Sequence, residues 1–124
     1  MLSGEKLVAF VPTTDQKQAR AFYEVILGLT FVSEDTFALV LDSNGTRIRV
    51  ANAPEFKPAQ FTILGWMVSD IEKTVAELQE KGIVFEKFGL KNQDERGIWS
   101  SPGGDKVAWF KDPDGNVLSV SQHV

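Results

Sequence analysis

Residues 107–120, VAWFKDPDGNVLSV, can be laid without a gap on residues 37–50, FALVLDSNGTRIRV. The overlay matches Ala38 to Ala108, Asp42 to Asp112, Gly45 to Gly115 and Val50 to Val120. Each copy is a pair of strand-like runs joined by a polar turn, which is the pattern of a β-hairpin. In the first, Asn44-Gly45 is a strong tight-turn signal. In the second, the turn Asp112-Pro113-Asp114-Gly115-Asn116 leads into Val117-Leu118-Ser119-Val120-Ser121, alternating apolar and polar. A strand face carrying two serines is either solvent or the floor of a binding site.

The match extends outward from the hairpins. Val8 falls on Ile63 and Asp15 on Asp70, and LGLTF (27–31) falls on KGIVF (81–85) after one deletion. In the first half, LVAFV (7–11) reads as a strand, and Thr13-Thr14-Asp15 offers helix-capping residues. DQKQARAFYEVILGL then sets Ala19, Phe22, Tyr23, Ile26 and Leu27 at helical spacing, with Gly28 as the stop. TFVSED, TFALVLD and TRIRVA follow as three strands. After a Pro-containing connector, FTILGWMVSD is the next strand, and Ser69-x-x-Glu72 matches a capping box. Ile71, Val75 and Leu78 stripe the second helix; IVFEKF (83–88), KVAWFKD and NVLSVSQ are the remaining strands. The chain therefore reads as one α+β domain, 1–124, of two tandem βαβββ units, about 5–53 and 59–123. Each unit has one helix for one sheet face, so the other faces must meet each other, a second chain or a ligand.

The bulk composition narrows the function classes. A chain of 124 residues, 43% hydrophobic and 24% charged, is ordinary for a globular protein. There is no cysteine, which excludes disulfides, thiolate catalysis and Cys-based metal sites. The net charge of -4, without clustered Lys and Arg, argues against nucleic acid as a partner. No apolar run approaches ~18 residues and the N-terminal apolar stretch is too short for a signal peptide, so a cytoplasmic protein without a membrane partner is expected.

FYEVILGLTF (22–31), DIEKTVAELQEKGIVF (70–85) and above all AWFKDPDGNVLSV (108–120) resemble the vicinal oxygen chelate superfamily, which holds glyoxalase I, extradiol dioxygenases and the fosfomycin and bleomycin resistance proteins. The resemblance covers essentially the whole chain and implies the glyoxalase/bleomycin resistance/dioxygenase fold, a cupped mixed sheet around a cleft, with homodimers common among small members. In the metal-dependent members, side chains from the first and last strands of each unit converge on one ion. Counting from Asp15, Asp70 and the Asn of DPDGN, those four positions hold Val8, Arg49, Ile63 and Ser119. Divalent metals want imidazole or carboxylate donors and this set has neither, so no metal and no other cofactor is expected.

By strand parity, the face shared with these positions should also carry Phe10, Arg47, Phe61, Val107, Trp109 and Ser121. An apolar, aromatic surface with a few hydroxyls and guanidinium groups suits a small organic ligand. Arg47 and Arg49 either pair with neighbours on a half-exposed strand or anchor a carboxylate or phosphate. Trp109 and Trp66 fit packing roles, Trp66 on the helix side. Trp99 lies in an insertion, EKFGLKNQDERGIWSSPGG (86–104), as a lid over a ligand or as an anchor of the loop. Tyr23 is expected to pack on the sheet, and Glu34, Asp35, Asp94 and Glu95 to sit on loops near the cleft rim. No Ser-His-Asp set is expected around His123, one residue from the end of the sequence and read as a solvated tail residue.

The expected ligand-binding residues are thus Phe10, Arg47, Arg49, Phe61, Trp99, Trp109, Ser119 and Ser121, in a metal-independent, homodimeric protein that sequesters an aromatic or anionic organic molecule. Two alternatives stand beside that reading: a metal-dependent lyase, isomerase or dioxygenase with displaced ligands, and a non-catalytic accessory module whose cleft has closed.

Overall fold

The computed structural model describes residues 1–124 and divides them into two compact units, Met1–Lys57 and Pro58–Val124. Each unit carries a four-stranded mixed sheet. The fold is α+β, built from the repeated βαβββ element order.

In the first unit, β1 (Val8–Thr13), β2 (Thr30–Glu34), β3 (Ala38–Ser43) and β4 (Thr46–Asn52) lie in the order β1-β4-β3-β2. β1 and β4 are parallel and the other pairs antiparallel. Asp15 caps α1 (Gln16–Arg20) by accepting from the Gln18 N–H at 3.1 Å. The helix then widens into a π-helical stretch, Ala21–Ile26, and ends at Gly28 with φ +77°. Within it Phe22 and Tyr23 are buried and meet edge to face, ring centroids 5.1 Å apart. Beneath them Val11, Leu39, Leu41, Ile48 and Val50 are all buried and in mutual register across three strands, which makes one sheet face the core. The Asn44-Gly45 turn forms as expected, with both residues at positive φ and the Gly45 N–H held by Asp42 Oδ2 at 3.1 Å.

Asp35 shapes the other turn of this unit. Its Oδ1 accepts from the backbone N–H groups of Phe37 and Ala38 at 2.8 and 3.0 Å. Those two bonds, the Phe37 one foremost, hold its carboxyl below the usual range, with a smaller push from the Arg49 charge. A lowered folded value means that the stabilisation is present above the unfolded carboxylate pKa, about 3.9, and is lost as pH falls through the folded value. Asp35→Asn is therefore expected to flatten the acid limb of the stability curve, read as urea midpoints from about pH 6 down to about pH 3.

In the second unit, β5 (Thr62–Met67), β6 (Trp99–Ser100), β7 (Lys106–Lys111) and β8 (Val117–Gln122) lie in the order β5-β8-β7-β6. Asp70 caps α2 (Ile71–Glu80), accepting from the Lys73 N–H at 3.1 Å. The cap is therefore Asp70, the counterpart of Asp15, and not Ser69 as the capping-box spacing suggests. The helix buries Ile71 and Val75 on the sheet side, where Ala108, Phe110, Leu118 and Val120 are buried in register.

The expected strand IVFEKF does not form. Residues 83–90 run alongside β7 without a ladder, joined to it by the Glu86 N–H to Trp109 carbonyl bond of 2.8 Å. The edge position is taken by the short β6, whose Trp99 and Ser100 pair with Val107 and Lys106. The insertion explains the exchange: it returns to the sheet at Trp99 and itself pairs with Val107 and Lys106 at one end of the β7 edge. Its own fold is pinned by Gln93, whose side chain donates to the carbonyls of Glu86 and Gly97 and accepts from the Phe88 N–H. Asp94 Oδ1 accepts from the N–H groups of Arg96 and Ile98, and Ile98 is buried.

Candidate functional site

The face of the second sheet turned away from α2 is ordered by register. Gly65, Ser119 and Trp109 stand side by side across β5, β8 and β7. Met67, Ser121, Val107 and Trp99 form the next row, and Val117 and Lys111 the row on the other side. Parity alone places Trp109, Ser119 and Ser121 on one face; Trp99, expected in the insertion, joins that face through its pairing with Val107. Ile63 sits at a bulge in β5, between Thr62 and Leu64, and Phe61 precedes the strand and is exposed.

Trp109 is the centre of an aromatic cluster. Its ring lies 5.4 Å from that of Phe88, edge to face, and 6.3 Å from that of Trp99, tilted by 45°. Phe88 contributes from the insertion, a role the sequence reading misses because it counts Phe88 as the last residue of the strand IVFEKF, which does not form. Trp99 is half-buried and paired through its backbone to β7, so it belongs to the sheet and is not a free lid. Next to the Phe88 end of the cluster a groove of about 440 Å³ is lined by Pro58, Ala59, Gln60, Phe88, Lys111, Gly115 and Val117. Lys111 supplies its cation and is 3.7 Å from the Glu86 carboxylate.

Ser119 is only 8% exposed, so the serine face is the floor of this surface and not open solvent. It needs Gly65 beside it: a Cβ built on Gly65 would lie 2.5 Å from Ser119 Oγ and 3.3 Å from its carbonyl oxygen. Gly65→Val should therefore expel the serine side chain and lower stability by about 1–3 kcal/mol, the usual cost of overpacking, measured by urea denaturation.

His123 is not a free tail residue. Its Nε2 is 2.9 Å from Ser121 Oγ and its Nδ1 3.5 Å from Asp105 Oδ2, while Asp105 Oδ1 accepts from the Val124 N–H at 2.9 Å. The Val124 bond first, and His123 after it, hold the Asp105 carboxyl below the usual range. A Ser-His-Asp set is thus present, against the sequence expectation. Two residues apart on an extended chain place Ser121 and His123 on one side, and Asp105 ties the tail down.

The open face of the first sheet pairs Phe10 with Arg49 and Val8 with Arg47. Phe10 is 63% exposed. Arg47 is 3.6 Å from Asp42, its register partner on β3, which favours the paired reading for that residue. Arg49 makes no ion pair, and its charge acts on Asp35. Among the other acids, Glu34 is 3.2 Å from Arg20, and Asp35 and Asp94 hold backbone N–H groups. Tyr23 is fully buried.

The four positions that would hold a divalent metal do not fit one. Val8 and Ile63 have no donor, Arg49 is a cation and Ser119 offers one neutral hydroxyl. No three His, Cys, Asp or Glu side chains come together in a group that could hold a metal ion.

The family model described as Glyoxalase/Bleomycin resistance protein/Dioxygenase superfamily matches residues 7–120. A superfamily member from Sphaerobacter thermophilus DSM 20745 superposes with a TM-score of 0.77 at 22% identity, over 99% of this chain and 100% of that one. TnmS3, an antibiotic binding protein from Streptomyces sp. CB03234, superposes with a TM-score of 0.74 at 23% identity, over 100% and 99%. Lactoylglutathione lyase from Agrobacterium tumefaciens superposes at 0.74 with 15% identity, over 94% and 91%. No curated protein matches the sequence significantly. At these identities the structural likeness speaks for the fold.

Proposed function

Because the chain belongs to the glyoxalase/bleomycin resistance protein/dioxygenase superfamily, we propose that it uses that scaffold to bind a small organic molecule without a metal. The observation that carries this reading is the aromatic shelf Phe88–Trp109–Trp99, with the groove of about 440 Å³ at its end, on the same sheet face as Ser119. Ligand pockets are commonly about 300–1,000 Å³, mostly apolar, with few polar groups. The shelf provides flat apolar area and Lys111 one cation, so the ligand is aromatic or anionic. The antibiotic-binding role of TnmS3 supports sequestration on this fold. On the first unit, Phe10 and the unpaired Arg49 are a second contact pair of the same chemistry.

Tryptophan fluorescence titration against a panel of planar aromatic acids and antibiotics, with and without chelator, tests the proposal. Saturable quenching that survives the chelator is expected. Stoichiometric zinc, nickel or iron in protein purified without chelator, or binding that appears only with added metal, overturns it. We further propose a cytoplasmic homodimer: Met67, 80% exposed, and exposed Phe61 are apolar surface that a second copy would cover. Sedimentation equilibrium at twice the chain mass is the expected result. No helix is long and apolar enough to cross a membrane.

A further inference from the structure

We propose that Ser121, His123 and Asp105 form a nucleophile, base and positioning acid that take an acyl group from an activated carboxylic ester. The proposal is independent of the ligand-binding reading and rests on geometry. With the imidazole proton on Nδ1, the Ser121 hydroxyl donates to His123 Nε2 across 2.9 Å, and Nδ1 faces Asp105 Oδ2 at 3.5 Å. Hydroxyl to Nε2, and Nδ1 to carboxylate, is the arrangement in which imidazole removes the serine proton and the carboxylate stabilises the resulting imidazolium. The Nδ1 separation is longer than a formed hydrogen bond, and the charge that develops on the ring during attack draws it in. Asp105 is prepared for this, because its bond to the Val124 N–H keeps it ionised and fixes the segment that carries His123.

The surroundings select the acyl group. Ser121 lies in register between Met67 and Val107, and Val107 pairs onward with Trp99, so the hydroxyl sits in an apolar row. An ester with an apolar or aromatic acyl part and a phenolic leaving group fits it. Ser121 Oγ bonds to the carbonyl carbon as its proton passes to His123 Nε2. The tetrahedral adduct collapses, the carbon–oxygen bond to the phenol breaks, and the imidazolium returns the proton to the leaving phenolate. Acyl-Ser121 remains until water, deprotonated by the same imidazole, releases the carboxylic acid. A positioned general base contributes about 10²–10⁴-fold to the acylation step.

The test uses p-nitrophenyl acetate on the full chain, following the nitrophenolate burst and mapping the acetyl group by peptide mass spectrometry. One acetyl per chain, on Ser121, is expected. Ser121→Ala should abolish the burst, and His123→Gln should slow it about 100-fold. Asp105→Asn retains a carbonyl oxygen for the Val124 N–H but loses the charge. It should slow the burst at least about tenfold, with recovery in Asp105→Glu. Circular dichroism spectra matching the parent chain establish that the variants are folded. Acetylation confined to lysines, or a burst unchanged in Ser121→Ala or His123→Gln, overturns the proposal, as does full activity in Asp105→Asn for the role of that residue.

Discussion

Replacing Trp109 by alanine is expected to weaken ligand binding by about 30-fold or more, corresponding to about 2 kcal/mol, the threshold of a binding hot spot. Trp109 is the one ring in contact with both other members of the cluster, at 5.4 Å from Phe88 and 6.3 Å from Trp99. Its removal separates the two ends of the shelf and leaves each ring without a partner. Trp99→Ala removes one end only and should cost less. The same titration reads both variants, with the residual tryptophan signal as reporter. Equal affinity for the parent and Trp109→Ala would place the ligand elsewhere than on this shelf.

The second large effect is expected in the turn that follows β7. Asp112 is 6% exposed and Asn116 1%. Asp112 Oδ1 accepts from the N–H groups of Asp114 and Asn116, at 3.0 and 2.9 Å, and Oδ2 accepts from Asn116 Nδ2 at 2.9 Å. Asp112→Ala leaves these donors buried without that acceptor, so the loss goes beyond the bonds themselves. About 2–4 kcal/mol is expected, since an unsatisfied buried donor costs about 1–3 kcal/mol and bonds to a charged group are the stronger kind. In calorimetry this is a fall in Tm on the order of 10 °C. The equivalent change in the first unit, Asp42→Ala, should cost far less. Asp42 holds only the exposed Gly45 N–H in a two-residue turn and an Arg47 that is half in solvent.

That contrast shows how far the repeat carries. The overlay of the two hairpins identifies the fold, because the alternation of apolar residues and the turn chemistry are local properties. It treats Asp42 and Asp112 as equivalents, yet burial makes one a surface residue and the other the centre of a network. The β5 register behaves similarly. Parity groups Trp109, Ser119 and Ser121 on one face, whereas Trp99 reaches it only because the insertion returns to pair with β7. The bulge at Ile63 and the need for glycine opposite Ser119 depend on how β5 meets β8. The strand expected over IVFEKF fails for a related reason: its residues suit a strand, but the edge of β7 that it would pair with is taken partly by Trp99–Ser100.

The sequence by itself determined the two βαβββ units, the two helices at matched spacing, the face on which the serines lie, and the want of metal donors at Val8, Arg49, Ile63 and Ser119. The units, the helix positions and the serine face follow from residue type and from periods of two or 3.6 along the chain, and the four donor positions from the family resemblance. Tertiary structure alone decided that Phe88 from the insertion joins Trp109 and that Arg47 is paired while Arg49 is not. It also decided that Asp105 reaches His123 across 18 positions to complete a set with Ser121. Those relations arise through strand register and loop closure, and no residue pattern along the chain encodes which side chains a fold will bring into contact.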